Sequence, residues 1–368
     1  LTDDRPSATQ TPALGGGGNL LRLATIGVVV LAVVLGFAYV GGWLSPGRLT
    51  PARFVDRFEE VYGLHPGFRR NHAKGVCIAG YFDATGAAAT LSKAVVFTAG
   101  RTPVIGRFSL AGGEPFASDG PAAIRGMGLS FALADGEVWR TAMVDLPVFP
   151  VRTANDFYTQ LGASVPDPAT GKPDPARVKA FLDAHPETMR ATSLIKSRPF
   201  SSGFANATYN GLNAFRFVNA AGETAPVRWS MAAVDPFAPE PTAPPAPADK
   251  NYLFDAVVRR IEEGPVRWRL IVTVGKPEDP TDDATIAWPD NRSHIDAGTL
   301  TIDHVDGEAP GNCRDINFDP LVLPSGITPS NDPLLSARSA IYSPSFTRRE
   351  GEPKTPSAVN PAALGKGP

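Results

Sequence analysis

The sequence predicts an α+β domain, rich in antiparallel β-structure, preceded by one transmembrane helix. Three observations predict it. Gly and Pro fill 36 and 37 of the 368 positions, about a fifth, and both are poor in helix interiors, so long helices do not dominate. Residues 23–44 hold no charged side chain. Short alternating or β-branched runs, separated by glycine-bearing turns, recur from residue 76 onward. Hydrophobic residues at 43% and charged residues at 20% exclude wholesale disorder, a collagen and a polytopic membrane protein. Thirty-five basic against 37 acidic residues leave a net charge of -2, so no whole-molecule field recruits nucleic acid.

In chain order, residues 1–22, with Pro6, Pro12 and four glycines at 15–18, read as a flexible tail with too little apolar surface to offset ordering. The 22 residues of 23–44 would rise roughly 33 Å as a helix, the thickness of a bilayer core. They read as a membrane anchor; a cleaved signal peptide is the alternative, but the run is long for one and no A-x-A site follows. Arg5 and Arg22 precede the span while Arg48, Arg53 and Arg57 follow it, so charge alone does not orient it. A short tail before a single apolar helix and a large domain after it predicts an exported, periplasmic domain.

Residues 51–62 place Phe54, Val55, Phe58 and Val61 on one face of an amphipathic helix opened by Pro51. Strands are expected at 76–82, 93–97, 103–110 and 128–133, helices at 154–161 and 175–184, and strands again at 214–218 and 226–231 around a turn at 219–222. A proline-rich stretch at 236–247 precedes an amphipathic helix at 253–261 and an apolar strand at 268–274. Residues 350–368, rich in Pro, Gly and Ala, read as a second flexible tail. Cys77 and Cys313 either pair or stand as buried thiols, and no CxxC spacing is present. His65, His185, His294 and His304 have no metal-ligand spacing.

Three clusters carry chemistry. Arg69-Arg-Asn-His72-Ala-Lys-Gly75 sets a histidine three residues after an arginine, just before a strand. Arg107-Phe-Ser109 lies in a strand, and Arg338-Ser-Ala-Ile-Tyr342 spaces a guanidinium and a phenol by one helical turn. Singly, they read as a solvated basic turn, an ordinary edge pattern and a surface cation-aromatic contact.

Together, in this order, RxxHAKG, RFS and RxxxY resemble the haem catalase superfamily. Pro147-Val-Phe149 with Phe157 eight residues on, YNGLNAFRFVN at 209–219, and Phe318-Asp-Pro320 leading to Ser330-Asn-Asp332 resemble further segments of that family. The resemblance covers residues 51–349 and implies a haem-catalase-like antiparallel β-barrel with helical insertions, binding haem b. No extension follows the last motif, so the chain resembles the short catalase-related peroxidases.

The resemblance implies that Tyr342 ligates the iron, with Arg338 donating to its phenolate. His72 moves a proton between the oxygens of peroxide, and Ser109 orients His72. Arg69, Arg107 and one of Arg348 or Arg349 match positions that bind the haem propionates; Phe149 and Phe157 line the distal pocket. The family's distal asparagine is absent, since Val144 and Asp145 stand there; Asp145 is the candidate to accept from peroxide. The implied activity is reduction of hydrogen peroxide or a small organic hydroperoxide through a ferryl intermediate, with electrons from an organic donor and weak dismutation. A hydroperoxide-rearranging enzyme of the allene-oxide-synthase type and a membrane-tethered haem sensor are the alternatives.

Overall fold

A computed structural model describes residues 16–44, 48–240 and 250–364, and divides the chain into two units, one ending at Thr50 and the other beginning at Pro51. The first unit is built on α1 (Gly16–Val40). Of this helix 23 residues, Gly18–Val40, contain an 18-residue window of mean hydropathy 2.6 and are long and apolar enough to cross a membrane, as a signal sequence also can be. The helix starts inside the tail expected over 1–22, because nothing between Asn19 and Leu23 interrupts its hydrogen-bond ladder once nucleated. It stops before the expected end at Leu44: Gly42 takes φ 81°, and the amides of Trp43 and Leu44 turn back to the Ala38 carbonyl. Residues 1–15 lie outside the described residues.

The second unit opens with α2 (Pro51–Tyr62), with Phe54, Val55 and Phe58 buried as the periodicity predicts. Ten strands follow, all antiparallel: β1 (Gly75–Ala84), β2 (Gly100–Leu110), β3 (Arg125–Ala132), β4 (Val138–Val144), β5 (Tyr209–Asn210), β6 (Phe215–Val218), β7 (Thr224–Ala233), β8 (Val266–Val274), β9 (Ser293–Asp306) and β10 (Ile327–Pro329). Successive pairing β1-β2-β3-β4-β5-β7-β8-β9 returns to β1 and closes an eight-stranded barrel, while β6 and β10 extend from β7. Closure removes the open edges that would otherwise template aggregation.

The barrel interior is filled. Phe82, Phe108, Phe131, Trp139, Tyr209 and Trp268 are all fully buried, and Trp139 stacks on Phe131 at 4.7 Å between centroids. Alternation is plain in β8, where Val266, Trp268, Leu270 and Val272 point inward while Arg267 and Arg269 are exposed. With these large side chains filling the interior, the cavity described below lies on the outer face of the barrel, against the helices.

Those helices are α3 (Ala154–Ala163), α4 (Pro175–Ala184), α5 (Pro186–Lys196), α6 (Tyr252–Glu262), α7 (Pro333–Glu350) and a short α8 (Pro361–Leu364). Asp332 caps α7 by accepting the Leu334 amide at 2.9 Å, with Pro333 at the first helical position. Two expectations are corrected. The strand expected at 93–97 is a single 3-10 turn, Val95–Phe97, because the Ser92 hydroxyl binds both the Ala94 amide and the Gly326 carbonyl and tucks the chain under the barrel. The tail expected from 350 is tied to the domain as far as Val359: Glu352 pairs with buried Arg70, and Val359 is buried in the main core. Residues 365–368, and 241–249 of the proline-rich stretch, lie outside the described residues.

Candidate active site

The site grows from strand register. Ser109 of β2, Gly126 of β3 and Val144 of β4 are cross-strand partners in one row. Arg107, Gly128 and Ala142 form the next row. Phe108, between Arg107 and Ser109, points into the barrel, so both rows belong to its outer face. Each row has a glycine at its centre, and a ring lies over each. A Cβ at Gly126 would stand 3.0 Å from His72 Nδ1, and one at Gly128 would stand 2.9 Å from the Phe318 ring.

His72 reaches its place through strained backbone. It has φ 56°, rare for a residue with a Cβ. The turn is held by Asn71, whose Oδ1 accepts the amides of His72 at 3.0 Å and Gly112 at 2.9 Å. Arg107 clamps it from below, donating to the carbonyls of His72 at 2.7 Å and Ala73 at 3.0 Å. His72 Nδ1 lies 3.1 Å from Ser109 Oγ. Burial, and then the charges of Arg107, Arg338 and Arg69, push the imidazole down to about 3, so it is neutral at ordinary pH.

The facing wall is α7. Leu334, Ala337, Arg338, Ile341, Tyr342 and Arg349 recur at helical spacing and line one cavity together with His72, Ser109 and the two glycine rows. Phe149 and Phe157 close a side, 5.4 Å apart, joined by Phe54 and Phe58 of α2. The space between the atoms is about 1410 Å³, part of it open to solvent.

Positive charge gathers at one end. Arg69, Arg107 and Arg349 line the cavity. Arg107 is neutralised by buried Glu308, at 2.8 and 3.0 Å. Arg69 has no ion-pair partner among the described residues; its Nη2 donates to the carbonyls of Cys313, Arg314 and Ile316, and its buried Nε has no partner. Burial, then Arg349 and Arg107, hold Arg69 well below its ordinary value. Burial, then Arg107, bring Arg349 to about 10. Buried cations lacking counter-charge are costly, and this end of the cavity is built to receive an anionic ligand.

Several residues differ from expectation. Asp145 does not line the cavity: one position beyond Val144, it turns away, and its Oδ1 accepts the Arg125 amide at 2.9 Å while Oδ2 pairs with the Arg125 guanidinium. Burial raises its carboxyl to about 6. Arg348 pairs with Asp56 and Glu59 on α2, and it is the next residue, Arg349, that a helical step of 100° aims inward. Arg338 makes no bond to Tyr342. It donates to Asn213 Oδ1 at 2.6 Å and the Ala142 carbonyl at 3.1 Å, and Asn213 in turn donates to Asp332 at 2.8 Å. Among the described residues the Tyr342 hydroxyl has no hydrogen-bond partner. Cys77 and Cys313 form a disulfide. Glu308, Asn213, Phe54 and Phe58 were not legible as site residues; the signals were the helical face carrying Phe54 and Phe58 and the 209–219 segment that contains Asn213. Away from the cavity, His185 meets Glu187 at 2.8 Å with Asp156 close by, a grouping that linear spacing hides.

The comparisons with known proteins agree with this geometry. Residues 66–364 match the family model described as Catalase. The chain is 38% identical over 328 residues, 89% of its length and 96% of the other, to a protein named catalase-related peroxidase from Synechococcus elongatus. It is 33% identical to one of the same name from Mycolicibacterium paratuberculosis, over 83% of this chain and 96% of that one. Among solved structures, catalase A from Saccharomyces cerevisiae superposes with a TM-score of 0.69 at 19% identity, over 77% of this chain and 61% of that one. A fungal catalase gives 0.68 at 20% identity, over 77% and 59%. The family model spans most of the chain, the barrel and its outer helices superpose on catalases, and the motif residues His72, Ser109 and Tyr342 converge on one cavity: the chain belongs to the catalase family.

Proposed function

We propose that the protein is a haem b peroxidase that reduces hydrogen peroxide or a small organic hydroperoxide with electrons from an organic donor. The observation that carries this reading is the single cavity in which neutral His72 and Tyr342 stand on opposing walls, with unpaired guanidiniums at one end.

The residues fit the group that catalase family members bind. Arg69 and Arg349 would take its carboxylates, the orphaned Nε of Arg69 supplying a donor that the protein itself leaves unused. Tyr342, free of hydrogen bonds among the described residues, would hold the iron through its phenolate, a donor that favours O–O cleavage. When bound, haem would supply the redox centre for that cleavage, and the organic donor would return the two electrons it lends.

The protein's own part is proton handling and exclusion of water. With Nδ1 donating to Ser109, the His72 Nε2 lone pair faces the cavity. His72 takes the proton of the inner peroxide oxygen and returns it to the outer one, so water is the leaving group. Arg107 fixes the strained turn that presents the ring. Arg338, anchored by Asn213 and through it by the capping carboxylate of Asp332, sets the rotation of α7 and hence of Tyr342. Phe149 and Phe157 keep the pocket apolar. Val144 offers no amide to a second peroxide, which supports an organic donor over dismutation. Apolar α1 and the disulfide support a membrane-anchored domain in an oxidising, periplasmic compartment.

The test is spectroscopic and kinetic. Haem-loaded protein should show the bands of a phenolate-ligated ferric centre, and Tyr342→Phe should lose them. His72→Ala should retain haem but react with peroxide slower by about 10² or more. An unchanged rate would remove His72 from the mechanism, and the lack of any Soret band after haem addition would overturn the reading.

A further inference from the structure

The disulfide between Cys77 and Cys313 joins residues 236 apart in sequence. Cys77 lies on β1, opposite Arg107 of β2. Cys313 opens a one-turn 3-10 helix in the segment between β9 and β10. From Gly307 to Gly326 that segment belongs to no strand, and its backbone bonds to the sheet, from the Arg140 amide to the Val322 carbonyl and from the Val218 amide to the Gly326 carbonyl, lie beyond Phe318.

Yet this segment aims the cationic end of the cavity. The carbonyls of Cys313, Arg314 and Ile316 all accept from Arg69 Nη2, the last at 2.8 Å. The Arg314 carbonyl also accepts from Arg349. Phe318 packs against both cysteines, sits on Gly128, and carries the Arg69 guanidinium 5.6 Å above its ring. Removing the covalent tie would leave the acceptors that aim Arg69 and Arg349 on a stretch, residues 307–318, joined to the barrel by side-chain bonds such as Glu308 to Arg107 and Arg140 to the Asn317 carbonyl.

We propose that the Cys77–Cys313 disulfide is a redox latch on the carboxylate-binding end of the cavity, a proposal that rests on the haem reading above. Closed, it presets the three carbonyls, so Arg69 meets an incoming carboxylate already aimed and little ordering remains to be done on binding. It opens when a dithiol supplies two electrons and two protons: the dithiol's sulfurs close to a disulfide, and Cys77 and Cys313 become thiols. The segment then loosens and the guanidiniums lose their aim. Retention of the cofactor thereby depends on an oxidising compartment.

Transfer of haem from the loaded full chain to excess apomyoglobin, followed at the Soret band, tests this in three forms: untreated, treated with dithiothreitol with the thiols counted, and Cys77→Ser/Cys313→Ser. Transfer should be faster by about tenfold in the second and third, the loss expected from one misaimed charge-assisted hydrogen bond. The bands of the Tyr342-ligated iron should be unchanged in whatever haem remains bound, because Arg338, one turn before Tyr342 on α7, is anchored by Asn213 and the Ala142 carbonyl and not by this segment. Rates within about twofold of one another, with the thiols shown to be free, would overturn the latch. So would altered Tyr342 bands in the haem that remains bound, which would make the bond a general staple. No Soret band even in the untreated protein would overturn the haem reading and the latch with it.

Discussion

Gly126→Ala is a one-methyl test of the distal geometry. The new Cβ would stand 2.8 Å from Ser109 Oγ, 3.0 Å from His72 Nδ1 and 3.1 Å from His72 Cε1, where ordinary contact begins at 3.4 Å. Neither neighbour is a flexible chain end. Ser109 is fixed in β2, and His72 stands on a turn clamped by Arg107 and Asn71. Relief of the clash therefore moves the ring by about half an ångström and stretches a contact already at 3.1 Å. Overpacking of this kind costs about 1–3 kcal/mol of stability. Misplacing a proton-transfer group by ~1 Å costs about 10² in rate, so half that displacement should cost about tenfold. The assay is stopped-flow decay of the Soret band on adding peroxide, with chemical denaturation measured alongside. In a His72→Ala background the same alanine should change the rate by less than about twofold, since the coupled partner is gone. A Gly126→Ala protein with native stability and native rate would refute the placement of His72 over this glycine. An equal loss in both backgrounds would show that Gly126 acts otherwise than through His72.

Other outcomes follow from the same geometry. Val144→Asn puts an amide in the row with Ser109 and Gly126 and should raise oxygen release from peroxide about tenfold, the worth of one added hydrogen bond, as an oxygen electrode would read. Glu308→Gln strips the counter-charge from buried Arg107 and should lower the unfolding free energy by about 3–5 kcal/mol in denaturant titration; an unshifted midpoint would count against the pair. Acid stability should carry two opposed contributions. His72 sits at about 3 in the fold against an ordinary 6.5, so the unfolded chain binds the extra proton in that window and stability falls as pH drops through it. Asp145 sits at about 6 against 3.8, so the folded chain binds the extra proton and stability falls as pH rises through that window. Below about pH 4 only the His72 contribution remains, and His72→Gln should move the acid-unfolding midpoint to lower pH.

Much of the barrel could be read from strands whose inward and outward residues alternate without interruption, such as β2 and β8. β9 could not. Pairing shifts occur at Ala79/Gly80 of β1 and Leu270/Ile271 of β8, both partners of β9, so its period-two pattern changes phase and Asp296, Asp303 and His304 obscure the rest. At the site, His72, Ser109 and Tyr342 lay in local motifs. Glu308 did not, and Asn213 lay in the 209–219 segment without a role, because each acts on an arginine more than a hundred residues away. Asp145 was misread for a simpler reason: adjacent positions near the end of a strand face opposite ways, and the cavity side belongs to Val144.

Strand β2 divides its duties by parity. Val104, Phe108 and Leu110 are buried in the core, while Arg107 and Ser109 face the chemistry. A deep mutational scan of this strand, scored separately for abundance and for peroxide turnover, should show two interleaved combs. Substitutions on one comb would deplete protein, and those at Ser109 would leave protein but silence it. A single inserted residue would exchange the two combs, which makes β2 a segment where point changes can be explored one function at a time and length changes cannot be explored at all.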